Sequence, residues 1–315
     1  MEINYFKKLR IRADSSGLYH INLNSKISDG KYIAAILEFI DKKKEKCRFN
    51  YTLTGNKATN NFLLYVLQTY NIKELTIIQR YHSSANCYKN IIPVLKYSNL
   101  SHIKIRYESF GEELYIKPNH SRLAFLVTQL DHLKEFKRLE LDTSRISAPD
   151  LAFLYSLNKN LQCFVLRLYN DITLSNDDLQ LQHSQCNRIH TAIKNCMYKK
   201  IKLITCFYMH SSSDIICAVL TGMIYNRNTT EIHIIIASTN VDSGQINTIG
   251  YYLKKLIKKN TTLKKITIDF PDIALDAFKR VSLVDDVMEA QKVNQNTIYI
   301  TITYFPDVII NSDKA

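Results

Sequence analysis

The chain has 315 residues, of which 46% are hydrophobic and 23% charged, a balance that excludes wholesale disorder. Seven Gly and five Pro leave little material for flexible linkers, and no run of about 18 apolar residues is present that would cross a bilayer. The net charge of +13, from 42 Lys and Arg against 29 Asp and Glu, raises the question of a polyanionic partner.

In chain order, the amino-terminal stretch Met1 to Arg10 carries no apolar run of the length a secretory signal needs, so classical export is not expected. Phe6, Leu9 and Ile11 lie too close to Ile21 for an intervening helix, so residues 1–17 are expected to form a hairpin cap. From there an aliphatic motif L-x-x-L-x-L recurs. Its cleanest copies are Ile72/Leu75/Ile77, Leu100/Ile103/Ile105, Phe136/Leu139/Leu141, Leu161/Phe164/Leu166, Ile201/Ile204/Cys206 and Leu263/Ile266/Ile268. The second anchors fall at residues 21, 49, 75, 103, 139, 164, 204, 232, 266 and 300, nine steps over 279 residues with a mean of 31. Lys46 and Thr229 replace an aliphatic at two first anchors.

Each motif core alternates with period two, as a short strand does. The segments between them carry helical spacing: Ile33/Ile36/Leu37/Ile40, Phe62/Leu63/Val66/Leu67, Ile91/Ile92/Leu95, Leu123/Leu126/Val127/Leu130 and Tyr252/Leu253/Leu256/Ile257. Helix-start chemistry precedes several of them, at Ser28-Asp29, Ser147-Ala148-Pro149 and Ser211 to Asp214. A strand that alternates with one amphipathic helix at this period cannot bury its apolar face alone, so neighbouring copies must stack. The expected fold is α/β, a solenoid with parallel strands on a concave face and helices on a convex one. It is expected to form one domain over residues 1–315 with about ten repeats, closed over residues 297–315 by a carboxyl-terminal cap.

The helix-to-strand junction N-x-x-L-x-x-L-x-L is present at Asn158 and Asn260, and the asparagine keeps its offset at Asn226 and Asn294. With these residues the chain resembles the ribonuclease-inhibitor class of leucine-rich repeat over nearly its whole length. Its Lys, Asn, Ile and Tyr richness and irregular array also look like the repeat effectors that intracellular bacterial pathogens of the Legionella type deliver into host cells. The resemblance implies a non-enzymatic scaffold that binds another protein, cytoplasmic or translocated without a classical signal, and monomeric.

It also implies that residues flanking each inward pair line the concave face. The candidate partner-binding residues are Arg48, His102, Lys104, Arg106, Arg138 and Arg167, with Leu203, Phe207 and Ile235 supplying apolar contact beside Val165. Six Lys or Arg oppose five Asp or Glu on that strip, which argues against a nucleic-acid groove, where many unopposed phosphate contacts are needed. Basic runs at Lys42 to Lys44, Lys199 and Lys200, and Lys254 to Lys259 lie near helix ends, and a polyanion or membrane-surface binder using them is the alternative reading.

No phosphate-cradling or hydrolase motif occurs, and no cofactor is expected. The one metal-like spacing is His183, Cys186 and His190, followed by Cys196. These share a helix with Ile189, Ile193 and Met197 and read as packing and surface residues. Seven scattered cysteines, an odd number, read as reduced thiols.

Overall fold

The computed structural model describes residues 11–23, 30–43, 46–54, 56–80, 85–108, 130, 133, 135–143, 146–157, 161–168, 172–173, 179–205, 211–236, 243–270, 277–293, 298–304 and 308–311. The chain is α/β and divides into two compact units, Met1–Asp142 and Thr143–Ala315.

In the first unit the strands are β1 (Ile11–Ala13), β2 (Tyr19–Leu23), β3 (Cys47–Thr52), β4 (Glu74–Arg80), β5 (His102–Glu108) and β6 (Arg138–Thr143). Helices α1 (Gly30–Lys43), α2 (Lys57–Thr69) and α3 (Ala85–Lys96) fall between them. Strand order follows chain order, and all pairs from β2 to β6 are parallel. β1 instead runs antiparallel to β2, so the amino-terminal hairpin covers what would be an open parallel edge. Its turn is held by Asp14, whose carboxylate accepts from Ser16 N and Oγ and from Leu18 N, with Gly17 at φ 76°.

The inward pairs Ile21/Leu23, Phe49/Tyr51, Leu75/Ile77, Ile103/Ile105 and Leu139/Leu141 are all buried. Each such side chain is worth about 1.5–3 kcal/mol of burial. Tyr51 keeps its place among aliphatics because its hydroxyl donates to Asn60 Oδ1 of α2. α2 begins at an asparagine cap, where Asn56 Oδ1 accepts from Thr59 N at 3.2 Å. The expected helix residues Leu123, Leu126 and Val127 lie outside the described residues.

In the second unit the strands are β7 (Ile146–Ser147), β8 (Cys163–Leu168), β9 (Ile172–Thr173), β10 (Lys200–Thr205), β11 (Glu231–Ile236), β12 (Lys265–Phe270), β13 (Tyr299–Tyr304) and β14 (Val308–Asn311). The helices are α4 (Ala148–Ser156), α5 (Leu179–Asn195), α6 (Ser211–Tyr225), α7 (Ser243–Lys259) and α8 (Ala277–Val293). Order is β8-β10-β11-β12-β13-β14, parallel until the last pair, and β7 with β9 forms a separate two-stranded sheet. β14 returns antiparallel along β13 and covers that edge.

A repeated backbone bond sets the register. Lys199 N and Lys200 N both donate to Gln162 O, Thr230 N and Glu231 N to Lys199 O, and Lys264 N and Lys265 N to Thr230 O. Equivalent anchors are therefore Phe164, Ile201, Ile232 and Ile266. This corrects the motif expected at Ile201/Ile204/Cys206, in which Ile204 stood as the second anchor. The observed motif is Tyr198/Ile201/Leu203, three residues earlier, with all three side chains buried. The spacings around it become 37 and 31 residues instead of 40 and 28. Cys206 lies outside the described residues.

The physical reason is that Tyr198 fills a first-anchor position and hides its polarity. Its ring packs on Tyr155 and Phe164, and its hydroxyl donates to Leu154 O. Thr229 does likewise in the next repeat, donating from Oγ1 to Tyr198 O at 2.7 Å.

The junction asparagines form a buried ladder. Asn226 Nδ2 donates to Ile193 O and Cys196 O, while its Oδ1 accepts from Asn228 N and Thr229 N. Asn260 Nδ2 donates to Met223 O and Asn226 O, and its Oδ1 accepts from Thr262 N and Leu263 N. Each asparagine thus completes its own turn and fastens it to the carbonyls of the repeat before. Cys196 occupies the equivalent place one repeat earlier, where its Sγ accepts from Tyr198 N at 3.4 Å. Asn158 and Asn294 lie outside the described residues.

Candidate functional site

In each unit the strands bury one face and leave the other partly open, and the cross-strand register places the candidate residues in rows. In the first unit one row runs Glu74, His102, Arg138, with Arg48 reaching Glu74 from β3, the next places Lys104 beside Glu140, and a third runs Ile78, Arg106, Asp142. Arg48 Nε meets Glu74 at 3.2 Å, and His102 lies 3.6 Å from Glu74 and 3.2 Å from Glu140. Arg138 meets the same Glu140 oxygen at 2.7 Å, and Lys104 meets Asp142 at 3.1 Å. Four of the six predicted cations are therefore held by carboxylates, mostly on neighbouring strands.

Glu140 and Asp142 stand on the same strand face as these cations and are buried. The hydrogen bond from His102, joined by those from Arg138, outweighs burial and holds the Glu140 carboxyl at about 2. Exposed pairs such as Arg48 with Glu74 add little stability, about 0–1 kcal/mol. What they do is fix long side chains in one arrangement. Arg106 is exposed, makes no ion pair among the described residues, and stands directly across the register from the half-buried Ile78.

In the second unit the corrected register changes the face. Leu203, predicted as an exposed contact, is 0% exposed and part of the core, because the strand start at Lys200 points it inward. Val165 lies on the open side yet is only 1% exposed, so it offers no contact either. Phe207 lies outside the described residues. In their place the sheet presents Lys200, Lys202 and Ile204, none of which the misplaced motif assigned to the face.

Ile204 pairs in register with Arg167 on one side and Ile235 on the other, making a half-buried Arg-Ile-Ile row. Lys200 meets Glu231 at 2.8 Å and His233 Nε2 meets Asp269 at 2.5 Å. Burial pushes the Asp269 carboxyl up, but bonds from His233 and Thr303 overcome it and leave it below the usual carboxylate range. With Lys200 and Lys202 added, eight Lys or Arg now oppose five Asp or Glu on the open faces. Each of those five carboxylates is engaged by a cation or a histidine.

The helix-side candidates His183, Cys186 and His190 all lie on α5, along a groove of about 500 Å³ that also touches Asp214, Cys217 and Tyr252. Among the described residues no three His, Cys, Asp or Glu side chains converge to hold a metal ion. Desolvation lowers the affinity of His190 for a proton, with Lys194 adding to it, and its ring meets Tyr225 edge-on at 6.0 Å. Burial raises the thiols of Cys186 and Cys217, the latter to about 12, which keeps them protonated and unreactive at neutral pH. No helix among the described residues is long and apolar enough to cross a membrane. Comparison with known protein families and with characterised proteins finds no match to this chain.

Proposed function

We propose that the chain is a leucine-rich-repeat solenoid, with its strand-lined face concave, that binds another protein through that face without performing a reaction. The observation that carries this reading is the arrangement of the open strand faces. Cross-strand ion pairs hold Arg48, His102 and Lys104 in place, and Arg138 is held by Glu140 of its own strand, while Arg106 beside Ile78 is left to reach a partner. Arginine next to apolar groups is the composition of a binding hot spot, and fixed side chains lose little freedom on association.

The described free cysteines, Cys47, Cys87, Cys163, Cys186, Cys196 and Cys217, suit a reducing compartment. In this reading the chain acts as a monomer in the cytosol, that of a host cell if it is delivered like the effectors it resembles. The test is affinity capture from a eukaryotic lysate with quantitative mass spectrometry. The R106D/I78D variant is expected to lose the partner, while K89D/K96D, on α3, keeps it. Equal capture by both variants and wild type would overturn the strand-face site.

A further inference from the structure

The rim of the second unit where helices end and strands begin holds most of the protein's excess charge. From the last turn of each helix to the first residue of the next strand, its described residues include nine Lys or Arg and one carboxylate, Glu231. That is a net +8 out of the chain's +13. Glu231 is spent on Lys200 at 2.8 Å, and Glu289 reaches Lys258 at 3.4 Å from α8. Lys199, Lys259, Lys264, Lys265 and Lys292 are exposed and make no ion pair among the described residues.

Helix dipoles account for the cations in last turns, Lys194, Lys258, Lys259 and Lys292. They do not account for Lys199, Lys200, Lys264 and Lys265, which follow the helices and sit at strand starts. The shared backbone bonds through Gln162, Lys199, Thr230 and Lys264 line these starts along one edge, at the roughly 4.8 Å spacing of paired strands. The same edge leaves large apolar groups exposed: Met197 at 45%, Val293 at 61%, Tyr299 at 58% and Tyr225, whose ring also meets His190, at 49%.

We infer that this rim docks on an anionic membrane surface, its lysines against phosphate and carboxylate headgroups and its Met, Val and Tyr side chains in the interface. Two features favour a lipid surface over nucleic acid. Eight of the nine cations are Lys, compact charges without the bidentate fork that suits specific phosphate recognition. Met197 and Val293 have no π-face on which a base would stack, whereas tyrosine and aliphatic groups suit the headgroup boundary. The inference uses the second unit alone and does not depend on the strand-face reading.

The test is flotation of the full chain with phosphatidylcholine vesicles, with and without 30% phosphatidylserine, across a salt series, beside a fluorescence-anisotropy titration with single-stranded DNA. Binding is expected only to the anionic vesicles and is expected to weaken as salt rises. Removing a lysine costs about fivefold in partitioning, so K199Q/K264Q/K265Q is expected to bind roughly 100-fold more weakly. K57Q/K89Q/K96Q, which loses the same charge elsewhere, retains most of its binding. M197S/V293S binds a few-fold more weakly with the salt dependence unchanged, and thermal melts confirm that the variants fold. Equal loss in both lysine variants, equal binding to neutral vesicles, or binding to DNA without vesicles would overturn the proposal.

Discussion

Replacing Asn260 by alanine removes one rung of the buried ladder, and its cost follows from the bonds it makes. Asn260 is 0% exposed, donates to Met223 O at 2.6 Å and Asn226 O at 3.0 Å, and accepts from Thr262 N and Leu263 N at 2.8 Å each. Each bond contributes about 0.5–1.5 kcal/mol net, and a buried backbone group left without its partner costs about 1–3 kcal/mol. The expected loss is therefore about 3–5 kcal/mol. At about 2–4 °C per kcal/mol for a unit of this size, the unfolding transition falls by roughly 10 °C. Asn260→Leu should lose nearly as much, because an added apolar side chain leaves the same backbone groups unpaired.

The measurement is urea denaturation followed by circular dichroism, with amide exchange at Thr262 and Leu263 as the local readout. The control is Asn247→Ala, on an exposed position of α7, expected to change stability by less than about 0.5 kcal/mol. A loss below about 1 kcal/mol in Asn260→Ala, or exchange at Leu263 no faster than in wild type, would refute the claim that this side chain fastens one repeat to the next.

The register in β10 is tested by a pair: Leu203→Ala should cost about 2–5 kcal/mol in urea denaturation and Ile204→Ala clearly less, since Leu203 is in the core and Ile204 is half-exposed; the reverse order would restore the motif read from the sequence. Gly222→Ala should destabilise by about 1–2 kcal/mol despite better helix propensity, because a Cβ there would lie 2.7 Å from both His190 O and Ile193 Cβ of α5; a variant more stable than wild type would contradict that close approach. Glu140, whose folded-state carboxyl sits at about 2 against an ordinary 4.5, should contribute about 3 kcal/mol above pH 4.5 and lose it as pH falls from 4.5 towards 2. Acid titration of the urea midpoint should therefore be shallower in Glu140→Gln, and an unchanged slope would remove the ion-pair explanation.

Strand and helix segments were readable from the chain because both periodicities are written in aliphatic residues. Leu75/Ile77, Ile103/Ile105 and Ile266/Ile268 are inward pairs in the structure and in the motif alike. The junction asparagines Asn226 and Asn260 were also legible, since a buried amide that must satisfy four backbone groups tolerates few substitutes. The register at Ile204 is hidden in the chain by polarity. Tyr198 and Thr229 fill aliphatic stations because Leu154 O and Tyr198 O receive their hydroxyls, and those acceptors lie about 30 to 44 residues away in the chain.

The candidate site was legible as a roster and not as a set of partners. A period of two assigns Arg48, His102, Lys104, Arg106 and Arg138 to the open side, but only cross-strand register decides which of them meets Glu74, Glu140 or Asp142 and which stays unpaired. Alternation along a strand is a local property, so the sequence by itself determined the repeat, its α/β character and the inward pairs. Tertiary packing alone decided the register of β10, the burial of Leu203, Val165 and Glu140, and the gathering of lysines along one rim, because each depends on what a neighbouring repeat places within a few ångströms.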